Sequence, residues 1–245
     1  MGMRLDQVLV ERKLCSSRTE AQELIESGAV LVGGVICVKQ TKQMQESDEI
    51  TVTDRRRYVS RGGEKIAGAM HDILLTKEKI EAFCRGKIVL DVGSSTGGFT
   101  DFLLQAGVSH VDAVDVGKDQ FHQSLRNREE VSLFEQTDIR DFKTERRYDI
   151  IVADLSFISL RQVLPIIIGF GTEGLTSYFL LIKPQFEVGF GNTKKGIVKD
   201  QILVEKVLTE IEGDAREAGL QNVRVVPSVL KGGDGNQEYF LYGTL

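Results

Sequence analysis

The sequence predicts a doubly wound α/β domain, a mostly parallel sheet whose last strand runs antiparallel, preceded by a small α+β module. Three observations carry this. Seven short apolar runs alternate with helix-forming segments from Lys87 to Leu245. A glycine turn, DVGSSTGGFT, follows the first run directly. The opening fifty or so residues have another texture, two helical stretches followed by short β-rich pieces.

In the N-terminal part, LDQVLVERK places Leu5, Val8 and Leu9 at helical spacing. Ser16 and Ser17 can cap a second helix, SRTEAQELIESG, which Gly28 ends. AVLVGGVICV and DEITVT follow as strand-like pieces, with Gly33 and Gly34 as a turn. This module is expected over residues 1–54, a linker over 55–62 and the larger domain over 63–245. In that domain the β-rich runs are KIVLDVG, HVDAVDVG, VSLFEQTD, YDIIVADL, SYFLLIKP, NVRVVPSV and EYFLYGTL. FTDFLLQAG, SLRQVLPIII and DQILVEKVLTEIEGDAREAG supply helices between them. Only VLKGGDGNQ joins the last two runs, so a hairpin is expected there.

Composition narrows the function classes. The chain has 245 residues, 41% hydrophobic and 27% charged, enough apolar material for a core. No apolar stretch is long enough to span a bilayer, and the charged N-terminus lacks a signal-peptide core. Both favour a cytoplasmic protein over a secreted or membrane one. Cys15, Cys37 and Cys84 are odd in number and scattered, which argues against disulfides and structural zinc. His71, His110 and His122 have no metal-ligand spacing, so no metal is expected. The net charge of −5 hides a local basic patch, Arg55, Arg56, Arg57, Arg61 and Lys65, fit for phosphate contact.

The run RLDQVLVERKLCSSRTEAQELIESGAVLVGG resembles the S4-like RNA-binding module. The likeness lies in Ser17-Arg18 through Ala21, Ile25 and Gly28 to Val32 and Gly33. It implies that Arg4, Arg18, Lys39 and Lys42 meet structured RNA.

Gly93, Gly97 and Gly98 let the backbone turn tightly beside a ligand, a property shared with NAD-binding domains. Three features favour S-adenosylmethionine. The turn reads GSSTGG rather than GxGxxG, with Ser94, Ser95, Thr96 and Phe99 completing it. Asp91 stands just before it, where a carboxylate can help hold a ligand ammonium. Asp115, followed by Val116, ends the next run and suits two ribose hydroxyls. Asp138 and Ile139 in TDIRD are candidates for the adenine amino group and ring face, with a helix cap the plainer role for Asp138.

Four residues complete the picture: Lys65 in GGEK, Asp154 in VADLSF, Lys183 in LLIKPQFE and Glu238 in NQEYF. A ribose 2′-hydroxyl is a poor nucleophile, and needs positioning and help in losing its proton. Lys183, after an apolar run, is the candidate base, with Asp154 beside the transferred methyl and Lys65 and Glu238 closing the site. The set resembles the tetrad of FtsJ-like 2′-O-ribose methyltransferases. With SRGGEK, ADLSFISL and IKPQFE and the S4-like module, the whole chain resembles the TlyA, or hemolysin A, family. The resemblance implies cytidine 2′-O-methylation in ribosomal RNA, with ribosomal RNA or subunits as partner and no obligate protein partner.

Lys194 and Lys195 in FEVGFGNTKKGIV are further phosphate-contact candidates, and Lys231 is another. Phe157 is either a base-stacking residue or a core aromatic. Two other function classes compete: a non-catalytic RNA-binding assembly factor and a haemolysin.

Overall fold

The structure, a computed structural model, describes residues 2–15, 17–26, 28–53, 57–189 and 191–245, without the side chains of Thr19 and Glu23. Ser16, Arg55 and Arg56 therefore lie outside the described residues. The chain divides into two compact units, Met1–Arg61 and Gly62–Leu245.

The N-terminal unit contains β1 (Met3–Arg4), α1 (Leu5–Glu11), α2 (Arg18–Glu26), β2 (Val30–Val32), β3 (Val35–Ile36), β4 (Gln43–Met44) and β5 (Ile50–Val52). Leu5, Val8 and Leu9 of α1 and Ala21, Leu24 and Ile25 of α2 pack with Val30 and Met44 into one core. Ser17 Oγ accepts the Glu20 N–H at 3.1 Å, an N-terminal cap on α2. Gly33 and Gly34, with φ of 58° and 78°, turn β2 into β3, as a two-residue hairpin with both φ positive requires.

From Arg61 the chain forms α3 (Arg61–Leu74), α4 (Lys77–Cys84), β6 (Ile88–Val92), α5 (Gly98–Gln105), β7 (His110–Val114), α6 (Gln123–Arg126) and β8 (Val131–Phe134). It continues through β9 (Ile150–Ala153), α7 (Leu160–Ile168), β10 (Ser177–Ile182), α8 (Pro184–Glu187), α9 (Gln201–Glu217), β11 (Gln221–Pro227) and β12 (Tyr239–Thr244). All seven expected runs are strands of one sheet, in the order β11-β12-β10-β9-β6-β7-β8. β12 runs antiparallel to both neighbours, as the short final connection dictates.

Every residue of β9 and β10 is buried, which explains why they read as continuous apolar runs rather than alternating ones. One face packs Leu90, Ile151, Leu180 and Leu241 against Val163, Leu164 and Ile167 of α7 and Val204, Val207 and Ile211 of α9. The other face meets α4 and α5: Phe83 stands edge-on to Phe179 and Phe99 packs on Phe240. Covered on both faces, the sheet offers a ligand only its strand ends. Among the described residues no helix is long and apolar enough to cross a membrane.

Candidate functional site

The chain leaves β6 in one direction, to β7 and β8, and then returns to build β9 and β10 on the other side. Such a reversal opens a crevice at the carboxyl ends of the strands. A cleft of about 850 Å³ lies there, walled by Gly93, Asp115, Val116, Asp138, Ile139, Ser156 and Phe157 among others.

The glycine turn after β6 is shaped by close approach. A Cβ on Gly93 would lie 2.6 Å from the Asp154 carbonyl oxygen, and one on Gly97 2.7 Å from the Leu125 side chain. Both have positive φ, 79° and 93°, so a larger residue is excluded on two counts. Asp115 is held by the backbone: Ser95 N donates to Oδ2 at 2.8 Å and Gly117 N to Oδ1 at 2.6 Å. Each oxygen keeps a second lone pair for a ligand hydroxyl.

Asp91 is fully buried, with Oδ2 accepting the Thr100 hydroxyl at 2.6 Å and Oδ1 without a partner. Burial pushes its carboxyl up to about 7, and repulsion from Asp154 and Asp115 adds to the rise. Three carboxylates at adjacent strand ends, two of them with a buried oxygen that accepts no hydrogen bond, suit a cationic ligand.

Other cofactor candidates are placed differently. Phe99 faces the sheet core on Phe240, and Ser94 is buried behind the cleft lining with its hydroxyl unpaired. Thr96 receives His122 N on its carbonyl at 3.0 Å, and Gly98 opens α5. Asp138 is turned onto Arg140, whose Nε and backbone N both donate to Oδ1 at 2.9 Å, and this pairing holds the carboxyl down to about 2. Ile139 is buried and lines the cleft.

Sheet register brings three of the four polar candidates to one end of the sheet, and α3 supplies the fourth. Ile182 pairs with Tyr239, so Lys183 and Glu238 stand one step beyond on neighbouring strands. Asp154 follows Ala153, which pairs with Leu180 of β10. Lys183 Nζ lies 2.6 Å from Asp154 Oδ1 and donates to Ser156 Oγ at 2.7 Å. The Asp154 contact is off the hydrogen-bonding direction, so it acts as a charge contact. Lys65, on α3, donates to Glu238 Oε2 at 2.6 Å, with side chains 11% and 3% exposed.

Sequence reasoning missed Ser156 and Glu187. Glu187, in the same IKPQFE segment as Lys183, accepts Leu160 N at 2.7 Å and the Ser159 hydroxyl at 2.6 Å. It thereby fixes the loop after Asp154 to the start of α7. Burial raises the Glu187 carboxyl above its usual range. Phe157 is not a core aromatic: it is 92% exposed with φ of 64°, beside Phe186 at 5.3 Å between ring centres.

In the N-terminal unit, buried Asp6 gathers the basic residues. Arg4 forks onto it with two bonds of 2.9 Å, Arg18 adds one of 3.0 Å and Gln22 one of 3.2 Å. The Arg4 guanidinium, above all, holds the Asp6 carboxyl well below the usual range. One negative charge fixes two partly exposed guanidiniums, leaving this cluster with one net positive charge. Lys39, Lys42, Lys194 and Lys195 are exposed; Arg57 lies over the Tyr58 ring and Arg61 pairs with Glu26 at 2.9 Å. Asp6→Asn is expected to lower the melting temperature of the chain and to weaken RNA binding together, measured by thermal melts and filter binding. Unchanged RNA affinity would separate Asp6 from the arginines' role.

Comparison with known proteins agrees with this geometry. Residues 58–245 match the FtsJ-like methyltransferase family and residues 3–50 the S4 domain. The Mycobacterium tuberculosis 16S/23S rRNA (cytidine-2′-O)-methyltransferase TlyA is 41% identical over 245 residues, 98% of this chain and 88% of the relative. Hemolysin A of Brachyspira hyodysenteriae is 38% identical over 98% of this chain and 99% of its own. A solved Streptococcus thermophilus structure bearing a hemolysin name superposes with a TM-score of 0.75 at 32% identity, covering 99% of this chain and 89% of that one. The family and the fold imply S-adenosylmethionine as cofactor, which the acid-rich strand ends fit, and the S4 domain implies an RNA substrate. The chain belongs to the FtsJ-like methyltransferase family, among the TlyA and hemolysin A proteins that add an S4 domain.

Proposed function

We propose that this enzyme methylates a ribose 2′-hydroxyl in ribosomal RNA, at cytidine, using S-adenosylmethionine, with Lys183 as the base. The observation that carries the proposal is Lys183 Nζ, 2.6 Å from Asp154 and 2.7 Å from Ser156 at the end of β10. Opposite Lys183, across the β10–β12 register, stands Glu238 with its partner Lys65. The relatives add the substrate: the Mycobacterium tuberculosis protein is named for ribosomal RNA cytidine.

S-adenosylmethionine supplies an electrophilic methyl on a sulfonium. Around it, Asp115 is set to accept ribose hydroxyls, Asp91 contributes negative charge, and Ile139 offers an apolar wall. Asp138, held by Arg140, keeps a lone pair on Oδ2 for the adenine amino group. As a neutral amine Lys183 keeps two N–H groups for Asp154 and Ser156 and one lone pair for the substrate hydroxyl. Lys183 takes the hydroxyl proton as the ribose oxygen acquires the methyl. Asp154 keeps the lysine aimed, and Lys65 with Glu238 fixes the ribose. Exposed Phe157 gives the target base a ring to stack on, a contact worth about 1–3 kcal/mol per base in single-strand recognition.

Arg4, Arg18, Lys39 and Lys42 grip the RNA backbone, joined by Arg57, Lys194 and Lys195, with Arg55, Arg56 and Arg61 nearby in sequence. Ribosomal subunits in the cytoplasm are the partner.

Incubation with methyl-labelled S-adenosylmethionine and ribosomal subunits from cells lacking the activity tests this. Label is expected in alkali-resistant dinucleotides, because a 2′-O-methyl group blocks backbone hydrolysis at that position. Label in a base, or none despite RNA binding, would favour another target or a non-catalytic assembly role.

A further inference from the structure

The loop that delivers Glu238 is fastened to the basic loop by one buried amide. Asn236 is 3% exposed. Its Oδ1 accepts Val198 N at 2.9 Å and its Nδ2 donates to the Gly196 carbonyl at 2.8 Å. A primary amide meets a donor and an acceptor at once; a carboxylate would face a carbonyl, and an apolar side chain would leave both groups unpaired.

Each end of this link is folded into a hydrogen-bonded turn. On the Glu238 side, the Asn236 carbonyl accepts Gly232 N at 2.9 Å and the Gly232 carbonyl accepts Gly235 N at 2.9 Å. A Cβ on Gly232 would lie 2.5 Å from Glu238 Oε1, so this turn wraps against the carboxylate itself. Ser228 N donates to the Glu238 carbonyl at 2.8 Å, closing the far side of the loop. On the other side, Lys194 and Ile197 exchange backbone bonds of 2.9 and 3.2 Å around Lys195 and Gly196, whose φ values are 54° and 79°. Two successive positive φ values make this a tight reverse turn, with Lys194 and Lys195 exposed on it. Thr193, just before the turn, lines the cleft.

We infer that Asn236 is a positioning residue that couples the seating of an RNA phosphate on the Lys194–Lys195 turn to the placement of Glu238 and its partner Lys65. Substrate bound at the turn stiffens the loop behind it, and the amide passes that order to the Glu238 turn. The inference rests on the RNA methylation reading above, and names a residue that makes no contact with substrate.

The test is a double-mutant cycle with ribosomal subunits and labelled S-adenosylmethionine. Asn236→Ala is expected to lower kcat on the order of tenfold with unchanged cofactor affinity by calorimetry. Lys194→Ala with Lys195→Ala is expected to raise KM and also lower kcat. Combined with Asn236→Ala, the lysine changes should raise KM but lower kcat no further. Multiplying kcat effects would overturn the coupling, as would a loss confined to KM in Asn236→Ala.

Asn236→Asp, which keeps the bond from Val198 N and loses the one to Gly196, serves if the alanine variant melts early, and should show the same non-additive pattern. Should the wild type transfer no label, the function reading fails by itself. Hydrogen exchange with ribosomal RNA then decides the coupling. Protection spreading from 191–198 to 228–238 in the wild type, and stopping at 198 in Asn236→Ala, sustains it; equal protection in both proteins sinks it.

Discussion

Lys65→Ala should destabilise the methyltransferase unit by about 3–5 kcal/mol, because it strands a buried carboxylate. Glu238 is 3% exposed and its partner 11%, joined at 2.6 Å, so solvent does little to compensate. Removing both charges is a different experiment. Lys65→Met with Glu238→Leu restores most of the lost stability, since a buried pair replaced by apolar groups of similar size is often neutral. Activity separates from stability here: the double variant folds but does not methylate RNA, because the ribose has lost both polar neighbours. Urea melts and label transfer on the same preparations check the two halves. A double variant as active as the wild type would confine the pair to a structural role.

Asp91→Asn should weaken S-adenosylmethionine binding by on the order of tenfold at pH 8 and flatten its pH dependence, one pKa unit being about 1.36 kcal/mol. In the wild type the Asp91 carboxyl is lifted to about 7 by burial and by Asp154 and Asp115. A cationic ligand favours the ionised form, so binding releases a proton near neutrality and affinity rises from pH 6 to pH 8. The free protein shows the opposite trend. Because the folded value is raised above the unfolded one, the stability Asp91 contributes is complete at low pH and lost as pH climbs to about 7. Ligand-free Asp91→Asn should therefore melt above the wild type at pH 8 and close to it at pH 4. Calorimetry across that range and a thermal melt at each end measure both trends. Pairs of curves that run parallel would show that Asp91 does not titrate near neutrality.

Much of the fold was legible because the chemistry of burial writes itself into apolar runs. The strands Ile150–Ala153 and Ser177–Ile182 lie wholly inside, and their text is uninterrupted. The antiparallel last strand followed from the length of one connection, which is geometry rather than propensity. Gly33-Gly34 announced its hairpin because two consecutive glycines tolerate positive φ.

The site was legible where function and strand end coincide, as at Lys183 and Asp154. Pairings across long sequence separations were not. Nothing in ADLSF marks Ser156 as the acceptor for Lys183, or Glu187 as the cap that holds Ser159 and Leu160. Asp138 in TDIRD offered an adenine contact or a helix cap, whereas a neighbour two residues away, Arg140, takes its carboxylate. Phe157 shows the same limit differently: DLSF leaves stacking and core roles both open, and its exposure and positive φ exclude the core role. Nothing in RLDQ marks Asp6 as buried; its burial depends on two arginines converging from different elements.

The most direct test of the central claim is single-turnover methyl transfer by Lys183→Ala to unmethylated ribosomal subunits at saturating S-adenosylmethionine. General-base catalysis contributes about 10²–10⁴-fold, so the rate should fall by that order while cofactor affinity stays near wild type. A Lys183→Ala protein that methylates ribose within a few-fold of the wild-type rate would contradict the account.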